Sequence, residues 1–180
     1  MLVLLATFRV NRQLCAQKWQ LVIPANVTGK LKRHSLNMKL TEKQIEEIAD
    51  NLDCGMRCFY NLKSGEIKTV LNFDTWIGAD EEQWEDELKE IEDNWSDYFE
   101  FVGFESHESF QIMADFANSI EDKGIQNKLM YALNRPKPFQ NFKWQIDNSG
   151  EVRQQWFDYK NMRYIEWIKE QIDLHSKDFE

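Results

Sequence analysis

The chain has 180 residues, with 22 Lys and Arg against 31 Asp and Glu, and is 42% apolar and 13% aromatic. That length fits one domain with a real core, and the apolar share is far above that of a disordered chain. No run of about 18 apolar residues occurs, which excludes a membrane-spanning helix, and three cysteines do not make a disulfide framework; a cytoplasmic, reducing location is expected.

The charge is unevenly divided. Residues 1–37 hold Arg9, Arg12, Lys18, Lys30, Lys32 and Arg33 and no acid, so taking these six from 22 leaves 16 basic against 31 acidic residues, or −15, for the remainder. A basic, acid-free leader is similar in composition to a transit peptide, and Leu2 to Ala6 to a signal-peptide apolar core, but the run is short and no basic segment precedes it. Met38 stands directly before Lys39-Leu40-Thr41 and a well-formed helix start. Residues 1–37 are therefore read as a disordered leader or as translated upstream sequence, and residues 38–180, about 143 in number, as a single α+β domain.

Thr41 with Gln44 three positions on has capping-box form, and Ile45, Ile48, Ala49 and Leu52 make the apolar face of the helix it opens. That helix should end near Asp53, before Gly55. Met56–Leu62 and Ile67–Phe73 alternate as two antiparallel strands, joined by a loop in which Gly65 supplies a positive φ. Asp80 is a plausible N-cap for a second helix, with Trp84, Leu88, Ile91 and Trp95 on one side and acids gathered in its first turn, where the helix dipole favours them. Tyr98–Phe104 reads as a third strand that pairs with the hairpin. Ser106 is expected to cap a third helix carrying Phe110, Met113, Ala114, Ala117 and Ile120, which Lys123-Gly124 should stop. Short helices follow around Ile125–Leu133 and Phe139–Ile146, separated by Arg135-Pro136-Lys137-Pro138. The last helix, from about Glu151 to Leu174, changes the phase of its apolar stripe near Asn161, which predicts a bend or a split. This order predicts an α+β fold: an antiparallel sheet of about three strands against a predominantly helical C-terminal half.

Leu40-Thr41 with its helix, Phe59-Tyr60 before Gly65-Glu66-Ile67, Phe139-Gln140-Asn141-Phe142-Lys143 and Trp156-Phe157 resemble, in their order and spacing, an uncharacterised bacterial protein family, the UPF group numbered 0158. The resemblance covers about residues 38–174. It implies an acidic residue after the lysine of the Phe-x-x-Phe-Lys segment, where this chain has Trp144. Since the family carries no established activity, the resemblance implies no catalytic residues.

Chemistry-bearing residues are few. Cys54 and Cys58 have a spacing that zinc could use, but only His107 and His175 lie outside the leader to complete a tetrahedral set, so Cys58 is read as a small core side chain, and no metal or cofactor is expected. His107, beside Glu105 and Glu108, could serve as an acid or base, yet a helix start disfavours His⁺ and no nucleophile motif surrounds it. From Asp80 to Asp93 only Lys89 offsets nine acids. One helix cannot supply converging oxygens for a hard cation, whereas a dense carboxylate face attracts cationic surfaces; Glu81, Glu82, Glu85, Asp86 and Glu92 are the candidate contacts for a protein with a basic surface. Arg135, Lys137, Lys143 and Arg153 flank Phe139, Phe142 and Trp144, a pattern that could contact nucleic acid, but the charge of −15 opposes it. The leading expectation is a small acidic binding or regulatory adaptor without catalytic activity. The alternative is a ligand binder or enzyme with an aromatic cleft between the sheet and the C-terminal helices, lined by Tyr60, His107, Trp144, Arg153 and Trp156.

Overall fold

In the computed structural model, residues 38–73 and 81–177 are described; the leader and Asp80 lie outside them, as does the side chain of Glu81. Helix α1 (Glu42–Asp53) opens as its sequence predicts: the Gln44 N–H donates to Thr41 Oγ1 at 3.2 Å and the Thr41 N–H to Gln44 Oε1 at 3.0 Å. It closes on Gly55 at φ +77. Strands β1 (Met56–Asn61) and β2 (Ile67–Leu71) then form the hairpin, each starting where expected and ending a residue or two earlier. Its turn is held by Asn61, whose side-chain oxygen accepts from the N–H groups of Lys63 and Ser64, while Gly65 takes φ +76.

A 3₁₀ turn over Glu81–Trp84 leads into α2 (Glu85–Asp93), and β3 (Tyr98–Phe101) pairs antiparallel with β1, giving the order β2-β1-β3. Trp95 falls beyond α2 on a second 3₁₀ turn, so it meets Phe59 edge-on at 6.2 Å rather than extending the helical stripe. The strand stops at Phe101, short of Phe104, because helix α6 takes over the next backbone groups. Val102 N–H donates to Gln171 Oε1 at 3.0 Å, and its carbonyl accepts from Gln171 Nε2 at 3.1 Å and Trp167 Nε1 at 2.8 Å.

The remaining chain is helical: α3 (Ser106–Ser119), α4 (Lys123–Leu133), α5 (Pro138–Asp147) and α6 (Glu151–Lys177). Three expectations are corrected here. Ser106 is the first helical residue of α3 rather than its cap; Glu105 holds that place, paired reciprocally with Glu108. Lys123-Gly124 opens a helix instead of ending one, because Asp122 Oδ1 accepts from the N–H groups of Gly124 and Ile125. Finally, α6 is one uninterrupted helix of 27 residues, about 40 Å long. It contains no Gly or Pro to break it. Its stripe changes phase because it passes from one core to another.

Side chains alternate across the sheet with period two. Cys58, Tyr60, Phe99 and Phe101 pack with α1 and with Tyr164 and Ile168 of α6, whereas Phe59, Val70 and Tyr98 face Ile91, Trp84 and Leu88 around α2. A separate core joins α3 to α5 and the start of α6 through Met113, Phe116, Leu129, Leu133, Phe142, Ile146 and Val152. The three-stranded antiparallel sheet and six α-helices among the described residues make this an α+β fold with a helical C-terminal half.

Candidate functional site

A cleft of about 300 Å³ opens between α3, α5 and α6. Its walls are apolar: Ile112 and Met113 from α3, Phe139, Phe142 and Ile146 from α5, Trp156 and Phe157 from α6, and Phe104 from the segment after β3. Helical spacing puts these side chains there. On α5 the steps from Phe139 to Phe142 and Ile146 are three and four, and two steps of four carry Lys143 and Asp147 to the rim. Trp156 is anchored from behind, with its ring 4.9 Å from Phe142 and 5.2 Å from Phe116, both edge-on.

Charges ring this apolar floor in pairs. Lys160 Nζ donates to Asp53 Oδ2 at 2.7 Å, joining α6 to the end of α1, and lies 5.5 Å from the Phe157 ring centroid. Arg153 Nε donates to Asp147 Oδ1 at 3.2 Å while its guanidinium carbon sits 4.7 Å from the same ring. Lys143 Nζ, well exposed, is 3.8 Å from Asp147 Oδ2. Tyr164 completes the wall near Asp53; burial, with help from the Asp53 charge, pushes its phenol well above the usual tyrosine range, so it stays neutral.

The residues expected from sequence to form a cleft are scattered. Trp156 lines it and Arg153 borders it, but Tyr60 is buried under α1 in the sheet core. His107 projects into solvent from the first turn of α3, its Nδ1 3.3 Å from Glu105. Trp144 is 62% exposed on the outer side of α5. Phe139 and Lys143, weighed from the sequence only as a nucleic-acid contact, line the cleft, and Phe157, Lys160, Asp147 and Asp53 were missed. Arg153, Phe157 and Lys160 at spacings of four and three were a readable signal of one helical face bearing two cations over a ring. Nothing local pointed to Asp53 as their partner.

The acidic segment is laid out differently. Ile91 is the buried residue of α2. Glu82, Glu85, Asp86 and Glu92 are exposed. Glu90 departs from the rest: it meets Lys68 Nζ at 2.5 Å and accepts from the Tyr98 hydroxyl at 3.0 Å. These bonds hold the Glu90 carboxyl below the usual range, and the Glu90 bond raises Lys68. Among the described residues no group of three His, Cys, Asp or Glu side chains could hold a metal. Cys58 is fully buried, which pushes its thiol up to about 12, while Cys54 is exposed at the end of α1. No helix among the described residues is long and apolar enough to cross a membrane.

Comparison with known proteins adds a family but no activity. The sequence profile described as "Uncharacterised protein family (UPF0158)" matches residues 36–180. The chain is similar to the UPF0158 protein PA5073 of Pseudomonas aeruginosa, 32% identical over 66 residues, or 37% of this chain and 43% of that protein. The match thus spans less than half of the relative's length. No solved structure matches.

Proposed function

From the premise that the chain belongs to the uncharacterised protein family UPF0158, we propose that it is a small-molecule binding protein whose site is the cleft between α3, α5 and α6. The observation that carries this reading is the coincidence of an aromatic floor with charged groups tied in place around it. Small-ligand sites combine apolar walls with a few oriented polar groups in this way. Two carboxylates and three cations are held at the rim by ion pairs, and Arg153 and Lys160 are further braced against Phe157. A site whose polar groups are already oriented loses little entropy on binding. The arrangement suits holding a ligand, since both carboxylates are already engaged by neighbouring cations.

Thermal-shift screening of the intact protein against nucleotides, aromatic metabolites and metal ions tests this. A ligand present at a hundredfold over its Kd stabilises by about 2.7 kcal/mol. Phe139→Ser, which alters a half-exposed wall residue, should remove that stabilisation and leave the unliganded melting temperature nearly unchanged. A screen without any shift would remove the cleft reading.

A second reading is favoured by the acidic face: Glu85, Asp86, Glu87, Glu92 and Asp93 are exposed and form no salt bridge among the described residues. It is an adaptor that presents this face to a protein with a basic surface. Reversal of Glu81, Glu85 and Glu92 to Lys should then abolish capture of that partner with the circular dichroism spectrum intact; unchanged capture would end this reading.

A further inference from the structure

We infer that the occupant of the cleft is a flat aromatic acid, one ring or two fused rings carrying a carboxylate or phosphate, stacked on the aromatic floor with its anion met by Arg153 and Lys143. This rests on the cleft reading above and adds the charge and shape of the ligand.

The charge balance at the mouth carries the argument. Lys160 is matched one to one by Asp53 at 2.7 Å. Asp147, by contrast, serves two cations, Arg153 at 3.2 Å and Lys143 at 3.8 Å. The lining itself is balanced, Lys143 and Lys160 against Asp53 and Asp147, and Arg153, just outside it on Asp147 and Phe157, adds a surplus positive charge beside the opening. Arg153 moreover stands in the first turn of α6, where the helix dipole disfavours a cation. An arginine there gains from a bound anion what a carboxylate at that position would have gained from the dipole.

Donor geometry agrees. A guanidinium has five N–H donors in a planar fork, and among the described residues Arg153 uses only Nε, toward Asp147. The free edge suits the two oxygens of a carboxylate or phosphate. Its position 4.7 Å from the Phe157 ring centroid places this donor edge beside the aromatic wall. Size limits the rest: about 300 Å³ is the lower end of ligand pockets, enough for one or two rings but not for a dinucleotide. An aliphatic acid would leave the aromatic floor wet, and a neutral ring would leave the surplus charge unmatched.

Calorimetric titration of the full chain with benzoate, indole-3-carboxylate and adenosine monophosphate, set against neutral indole and against succinate, tests the inference. At least one ring acid should bind tenfold or more tightly than indole, with an affinity that falls as salt rises; which acid leads tells carboxylate from phosphate. The double variant Lys143→Gln, Arg153→Gln should bring that acid down to the affinity of indole while indole itself is unaffected. Indole or succinate binding as tightly as the ring acids overturns the inference, and indole doing so leaves the cleft reading standing. No binding by any ring compound overturns both.

Discussion

On α2, Glu85, Asp86, Glu87, Glu92 and Asp93 stand in solvent without a salt bridge among the described residues, whereas around the cleft Asp53 and Asp147 each hold a cation within 4 Å. The supports differ as well. The acidic helix is seated by Ile91 with Trp84 and Leu88 against one face of the sheet, while the cleft rests on the helical core of α3, α4, α5 and the start of α6. Solvated charges of one sign are nearly interchangeable, because water screens each of them alike. Paired charges over an aromatic floor are not interchangeable. The contrast shows why a high density of acids is the more visible feature in the sequence and the less specific one in the fold.

The largest expected effect comes from cutting the two supports separately. Phe142→Ala removes a fully buried ring that backs Trp156, and Phe59→Ala removes one under α2; each should cost about 3–5 kcal/mol in urea unfolding. Only Phe142→Ala should shift the Trp156 indole resonance strongly. An equal shift from both would dissolve the separation between the regions.

A smaller effect sharpens the difference between paired and unpaired charge. The Asp53–Lys160 pair is partly shielded, with side chains 33% and 23% exposed. A double-mutant cycle with Asp53→Asn and Lys160→Met should give a coupling of about 1 kcal/mol. Glu85→Gln and Glu92→Gln should each stay within about 0.5 kcal/mol of the parent and add independently.

The smallest effect concerns Glu90, the one carboxylate of α2 that is paired among the described residues. Glu90 is depressed in the folded state, so its contribution is present above the ordinary carboxylate range and is lost as pH falls through the folded value. Lys68 is raised, so its contribution is complete below the ordinary lysine range and is lost as pH rises through the folded value. Replacing both by Gln and Met should therefore lower stability slightly in the middle of the pH range and flatten the profile toward its two ends, where parent and variant converge, as read from urea midpoints at fixed ionic strength.

Much of this fold was legible wherever the controlling interaction spans four residues or fewer. Thr41 and Gln44 form the expected cap, and Gly65 turns the hairpin, although the part of Asn61 in that turn was missed. The misreadings have local rivals as their cause. Asp122 competed with Lys123-Gly124 for the same boundary, and Glu105 with Ser106. The phase change at Asn161 reads as a bend or a split because periodicity reports which side is apolar, not what covers it. For the cleft, the helical spacings on α5 and α6 are present in the sequence, but nothing in it says which face Tyr60 and His107 meet, and they do not belong with Trp156.

By itself the sequence determined the α+β order, most helix and strand positions and the two charge populations, since caps, turns and amphipathic periods are short-range physics. Only the tertiary structure decided that α6 would run unbroken across two cores, that Gln171 and Trp167 would end β3, and that Lys160 would reach Asp53. Those choices depend on how whole helices pack against one another, and no window of neighbouring residues contains that information.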